Sequence, residues 1–152
     1  MLKIVLTGDN HGDMKSIARI LQENPDADYY IHTGDSCVSP QAIEPFISVK
    51  GNNDYNDFPK ERILEIGNHK ILLIHGQYYT YSLSELADKA KQEGCDSVFF
   101  GHTHQFAYKK VNDIIMINPG STYYNRDFSN NCYAIVYIED DDSYRVIKKE
   151  LI

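Results

Sequence analysis

Leu2-Lys3-Ile4-Val5-Leu6-Thr7-Gly8-Asp9-Asn10-His11 opens the chain with a short apolar run that stops at a glycine, a carboxylate and an imidazole. The run is brief and rich in branched side chains, so it predicts a buried strand. Strands of that kind belong to parallel sheets covered by helices. The next residues agree. Asp13 is placed to cap a helix whose apolar positions Ile17, Ile20 and Leu21 follow helical spacing, and Pro25 ends it. A second strand is expected over 28–32 and a third over 46–49, with a short helical segment between them. Each stops at a Gly-containing turn, Thr33-Gly34-Asp35 and Gly51-Asn52-Asn53-Asp54. This alternation predicts right-handed crossovers and a mostly parallel sheet.

Beyond residue 60 the pattern changes. Residues 61–66 and 70–74 flank a turn at Gly67-Asn68 and read as a hairpin ending at His75-Gly76. Ser82-Leu83-Ser84-Glu85 is a capping box, and Leu83, Leu86, Ala87 and Ala90 supply the apolar stripe of a helix that Gly94 closes. A strand over 97–100 stops at Gly101-His102-Thr103-His104. Four more are expected over 106–111, 114–117, 132–138 and 144–149, which makes the second half hairpin-rich. The expectation is one domain over residues 1–152, an α/β fold of two stacked sheets flanked by helices. No repeat or linker interrupts it.

Composition narrows the function. The 152 residues suit one domain with a real core, and 22 acidic against 15 basic residues give a net charge of -7. Such a chain has no broad basic surface to grip a nucleic-acid backbone, which argues against a dedicated nucleic-acid module. A small phosphate-bearing substrate remains compatible, because bound metal ions reverse the local field. Cys37, Cys95 and Cys132 form no CxxC pair and no disulfide framework, and read as buried or half-buried thiols in a reducing compartment. The first apolar run is too short for a signal peptide and no run approaches a membrane span, so a soluble, cytoplasmic protein is expected.

The chemistry collects at strand ends. Asp9, Asp35, Asn52 and four histidines follow predicted apolar strands, where loops of α/β sheets form ligand sites. If the segments are extended, Asp9 with His11 and His102 with His104 each aim two donor atoms the same way. Singly each piece is ordinary: Gly-Asp is common in turns, and His75 beside an apolar strand suits a hydrogen-bonded core residue. Five such segments in one chain make an imidazole–carboxylate metal site the better reading.

Asp9-x-His11, Gly34-Asp35, Gly51-Asn52-x-Asp54, His75 and Gly101-His102-x-His104 resemble the ordered motifs of the calcineurin-like metallophosphoesterases. The short length and Asn118-Pro119-Gly120-Ser121 resemble its small prokaryotic, YfcE-like phosphodiesterase branch. The resemblance covers residues 4 to 121 and implies a four-layer α/β/β/α sandwich of two mixed sheets. It implies that Asp9, His11, Asp35 and His104 hold one divalent ion, and that Asp35, Asn52, His75 and His102 hold a second, with Asp35 bridging. It further implies in-line attack on phosphorus by a hydroxide bridging the two ions. A carboxylate spans metals roughly 3.5–4 Å apart, as such sites require. The mixed nitrogen and oxygen donors suit Mn2+ first, and also Ni2+, Co2+, Fe2+ or Zn2+.

The sequence departs from that family at one position. Many members carry a histidine directly after the motif asparagine, where it protonates the leaving group; here the residue is Asn53. An amide cannot serve as that acid, so phosphodiesters with good leaving groups, such as aryl diesters, are the expected substrates, with weak activity on monoesters. Asp54 is expected behind the metal ligands, orienting a ligand or a neighbouring amide, or else as a turn cap. His32 is expected as a strand-end core residue, His69 as a solvated turn residue, and Asp140 to Asp142 as a solvated acidic turn. Tyr78, Tyr79, Tyr123 and Tyr124 either line a substrate cleft or simply pack. The alternative function is a catalytically silent adaptor of the same fold, which retention of all seven ligand positions disfavours. A structural zinc domain lacks its cysteines, and no Gly-x-Ser-x-Gly elbow supports a serine hydrolase. The partners expected are a small phosphate-ester substrate, no membrane, and a homodimer suggested by the family.

Overall fold

The computed structural model describes residues 1–152. Its strands form two five-stranded sheets, each mixed. β1 (Leu2–Thr7), β2 (Tyr29–His32) and β3 (Ile47–Ser48) run parallel in the first, joined by α1 (Met14–Glu23) and by a 3-10 turn at Pro40–Ile43. β4 (Glu61–Ile66) and β5 (His69–Ile74) make the expected hairpin in the second sheet. After α2 (Leu83–Gln92), β6 (Ser97–Phe99) lies parallel to β5, and β8 (Ile114–Pro119) parallel to β6. β7 (Phe106–Val111) covers the outer edge, antiparallel to β8. β9 (Cys132–Ile138) and β10 (Tyr144–Glu150) then return to the first sheet, with β9 antiparallel to β1.

Side-chain alternation along the strands builds the layers. Ile4, Leu6, Ile31, Leu73, Phe99, Ile117 and Val136 meet between the sheets in one fully buried cluster. Their neighbours Val5 and Ile135 face outward onto Ile17 and Ile20 of α1. Leu72, Val98 and Met116 face outward onto Leu86, Ala87 and Ala90 of α2. The order helix, sheet, sheet, helix follows from the two-residue period of strands and the one apolar stripe of each helix. Caps set the helix ends: the Asp13 carboxylate accepts from the Ser16 amide, the Ser82 hydroxyl accepts from the Glu85 amide, and Gly94 turns at φ +76° just past α2.

The three hairpins expected in the second half form as β4–β5, β7–β8 and β9–β10, and β5, β6 and β8 are in addition parallel neighbours. Two expectations need correction. The third strand shrinks to Ile47–Ser48, and by Lys50 the backbone bonds the Pro59 carbonyl and not a neighbouring strand. His69 is not a solvated turn residue. It begins β5, bonds Asp96 at 3.0 Å and the Asp142 carbonyl at 2.6 Å, and stacks on Tyr144 with ring centroids 4.3 Å apart.

Candidate metal centre

The loops leaving β1, β2, β3, β5 and β6 meet at one end of the sandwich and bridge the two sheets. Backbone bonds zip the first two together: the Asp9, His11 and Gly12 amides donate to the carbonyls of Gly34, Asp35 and Ser36 at 2.9–3.1 Å. Across the sheets, the Gly101 amide donates to the His75 carbonyl at 3.0 Å, and the His102 amide to Asp9 Oδ2 at 3.0 Å. All seven side chains expected as ligands come together here.

They converge by a different route from extended alternation. Asp9, His11, Asp35, His102 and His104 adopt left-handed backbone, with φ of +51°, +45°, +60°, +72° and +55°. That conformation costs a residue with a Cβ about 1–2 kcal/mol, and such strain concentrates at functional sites. Two glycines allow the loops to close. A Cβ on Gly51 would lie 2.0 Å from Asp35 Oδ1, and one on Gly101 would lie 2.9 Å from Asp9 Oδ2.

Asp9 and Asp35 are buried at the centre. Asp9 Oδ1 has no hydrogen-bond partner, yet His104, His75 and His11 place Nε2 atoms 3.5, 3.8 and 3.9 Å from it. Asp35 Oδ2 lies 3.3 Å from His75 Nε2 and 3.7 Å from His11 Nε2, so it stands between two halves of the cluster. On one side His11 and His104 bring their Nε2 atoms within 3.2 Å. On the other, Asn52 Oδ1 lies 3.0 Å from both His75 Nε2 and His102 Nδ1.

Backbone carbonyls fix two of the rings. His75 Nδ1 donates to the Thr33 carbonyl at 2.9 Å and His104 Nδ1 to the Tyr124 carbonyl at 2.8 Å. A carbonyl only accepts, so each ring carries its proton on Nδ1, and when neutral presents the Nε2 lone pair to the centre. The electrostatics are those of a pocket made for cations. Burial works to raise the Asp35 pKa, but the hydrogen bonds from His75 and Asn53 hold it well below the usual carboxylate range. Burial likewise pulls His75 down, and the bond to Asp35 with the field of Asp9 lifts it above its ordinary value. His102 is lowered, by burial first and then by the neighbouring His75.

The donor set fits a metal. A buried carboxylate oxygen without a hydrogen bond is costly unless a cation takes that place. Asp9 with His11 and His104, and Asp9 with Asp35 and His75, each offer donor atoms within 4.8 Å of one another.

A family model described as "Calcineurin-like phosphoesterase superfamily domain" matches residues 2–141. The chain belongs to the calcineurin-like phosphoesterase superfamily. A relative from Bacillus subtilis, named probable metallophosphoesterase YsnB, is 33% identical over 92% of this chain and 86% of its own length. A phosphodiesterase of Methanocaldococcus jannaschii is 29% identical over 78% of this chain and 83% of that protein. The crystal structure of a predicted phosphoesterase from Streptococcus pneumoniae superposes with a TM-score of 0.84 at 25% identity, covering 97% of this chain and 98% of that one. The two-sheet sandwich is thus the superfamily's fold.

Other residues around the loop cluster take definite positions. Asp54 lies beneath it, where its oxygens accept from the amides of Asp35, Gly51 and Cys37 at 2.8–2.9 Å. Asn53 donates to Asp35 twice, by its backbone amide to Oδ1 (2.8 Å) and by its side chain to Oδ2 (3.0 Å). His32 is a buried strand-end residue as expected, bonded through Nε2 to Asn10 Oδ1 at 2.8 Å while Nδ1 accepts from the Gly34 amide. Cys37 is exposed, not buried, because it follows Asp35 around the left-handed turn; Cys95 and Cys132 are buried. Ser121 is the contributor that the sequence reading left vague. Its hydroxyl donates to the Asp9 carbonyl at 2.7 Å and accepts from the Tyr123 and Tyr124 amides, tying the β8 loop to the β1 loop. Tyr123 stands over His11 with centroids 5.7 Å apart. Tyr79 packs partly against the α2 cluster, whereas Tyr78 is 86% exposed.

Proposed function

We propose that the whole chain acts as a metal-dependent phosphoesterase directed at phosphodiesters, with two divalent ions in the loop cluster. In this reading Asp9, His11, Asp35 and His104 hold one ion and Asp35, Asn52, His75 and His102 the other. The observation that carries it is the buried, unpartnered Asp9 Oδ1 facing three imidazole nitrogens at 3.5–3.9 Å. Divalent ions there supply Lewis acidity and lower the pKa of water from about 15.7 towards 7. Mn2+ is the first choice for this donor set, with Ni2+, Co2+, Fe2+ and Zn2+ next.

The chain's own residues set the geometry and the limits. His75 and His104 are locked by carbonyls with their lone pairs inward. Asp35 is held ionised between the two halves, which suits a bridging carboxylate. Asn53 spends its side-chain N–H on Asp35 and has no proton to give, so the leaving group must depart unaided by that position. This supports aryl or similarly acidic leaving groups over alkyl monoesters. Asp54 and Asn53 are positioning residues: both act through Asp35.

Metal analysis of purified protein, with hydrolysis of bis(p-nitrophenyl) phosphate before and after EDTA and Mn2+, tests the reading. Two ions per chain and turnover restored by Mn2+ support it. Absence of metal together with absence of turnover returns the adaptor alternative. Three free cysteines suit a reducing cytoplasm. The homodimer rests on family resemblance, and sedimentation equilibrium tests it.

A further inference from the structure

Beside Asn52 the surface opens into a cleft of about 530 Å³, within the size range of small-ligand sites. One part of its lining comes from the loop after β3, which folds back on itself. The Lys50 amide donates to the Pro59 carbonyl at 2.7 Å and the Asp54 amide to the Gly51 carbonyl at 3.3 Å. That closure brings Lys50 and Lys60, ten residues apart, to the same cleft. Gln77, Tyr78 and Tyr79, from the loop after His75, also line it.

The charges in the cleft do not cancel. Lys89 is paired with Glu61 at 3.1 Å, and the Asp54 carboxylate is surrounded by three amides. Lys50 and Lys60 make no ion pair, and Lys50 is half-buried, in a chain with 22 acidic residues against 15 basic. Three lysines against Glu61 and Asp54 leave the lining with a net charge of +1, and the unpaired Lys50 and Lys60 border a space that adjoins the phosphoester site. The Tyr78 ring is free to stack on a ligand, being 86% exposed. Cations beside an available aromatic face recognise an anionic group carried next to a flat ring.

Resting on the phosphodiesterase reading above, we infer that this cleft binds the arm that stays on the phosphate after cleavage. It selects an arm with a second phosphate beside a planar ring, the chemistry of a nucleotide. Lys50 and Lys60 take the second phosphate, and Tyr78 takes the ring. One charge-assisted contact changes affinity about ten- to a hundred-fold.

The test uses metal-loaded protein and two substrates that share one scissile bond. These are the p-nitrophenyl ester of thymidine 5′-phosphate and the same ester with an added 3′-phosphate, and both release p-nitrophenolate. The expected result is a KM at least ten-fold lower for the 3′-phosphorylated ester. In Lys50→Ala/Lys60→Ala that ratio collapses towards one, and Lys50→Arg/Lys60→Arg restores it. Equal KM values in the unaltered protein overturn the inference and leave the phosphodiesterase reading standing. If neither ester nor bis(p-nitrophenyl) phosphate is hydrolysed, the phosphodiesterase reading falls, and calorimetry judges the cleft separately. Thymidine 3′,5′-bisphosphate binding at least ten-fold tighter than thymidine 5′-phosphate supports the cleft; equal binding overturns it.

Discussion

Replacing Asp54 with alanine removes the acceptor of three backbone amides at once. The Asp35, Cys37 and Gly51 amides reach its two oxygens at 2.9, 2.9 and 2.8 Å, and the residue is only 5% exposed. An amide left unpaired in a buried place costs about 1–3 kcal/mol. Solvent entering the vacated volume through the exposed Cys37 side relieves some of this, so the expected loss is about 3–5 kcal/mol. That is a large share of a small domain's total stability, about 5–15 kcal/mol. Asp54→Asn retains the shape but turns an N–H group towards donors, and loses nearly as much. Urea unfolding of metal-free protein reads both variants. Because Asp35 rides on the amide that Asp54 holds, calorimetric titration with Mn2+ is expected to show affinity at least ten-fold weaker. Stability within about 1 kcal/mol of the unaltered protein in Asp54→Ala, with Mn2+ affinity unchanged, would refute the reasoning.

Four further outcomes are expected. His32 is buried and neutral, and burial lowers its pKa from 6.5 to about 4. Between those values the unfolded chain binds the extra proton, so stability is full above pH 6.5 and falls as the solution is acidified, by about 3 kcal/mol near pH 4. Unfolding of the metal-free protein at pH 7 and pH 4.5 measures this, and an unchanged slope in His32→Gln would count against it. Gly51→Ala forces a Cβ onto Asp35 Oδ1, and is expected to cost about 2–3 kcal/mol and abolish Mn2+ binding by calorimetry. Mn2+ at a hundred times its Kd is expected to add about 2.7 kcal/mol of stability, lost on adding EDTA and absent in Asp9→Asn. Asn53→His supplies a proton donor, and should flatten the dependence of rate on leaving-group acidity across substituted aryl diesters.

The β1 run, the caps at Asp13 and Ser82, and the hairpin at Gly67-Asn68 were legible because their causes are local. Strand period, helix stripe and capping side chains all act within a few residues. The seven candidate ligands were legible for a related reason. Glycine beside a carboxylate or imidazole at a strand end is written in adjacent letters, and five such segments carry the resemblance to the superfamily.

What the residues alone left open depends on which distant segments meet. The return of β9 to β1 and the parallel placing of β8 beside β6 depend on contacts far apart in the chain, which no local period records. Left-handed backbone at Asp9, His11, His102 and His104 is likewise imposed by loops closing across two sheets, since none of these residues prefers it alone. Asp54 beneath Asp35, Ser121 on the Asp9 carbonyl, and two lysines facing one cleft are tertiary facts of the same kind. Local sequence settled which side chains were available, because propensity and pattern act over short range. Only packing of the two sheets settled which atoms would face one another, because it sums contacts between segments tens of residues apart.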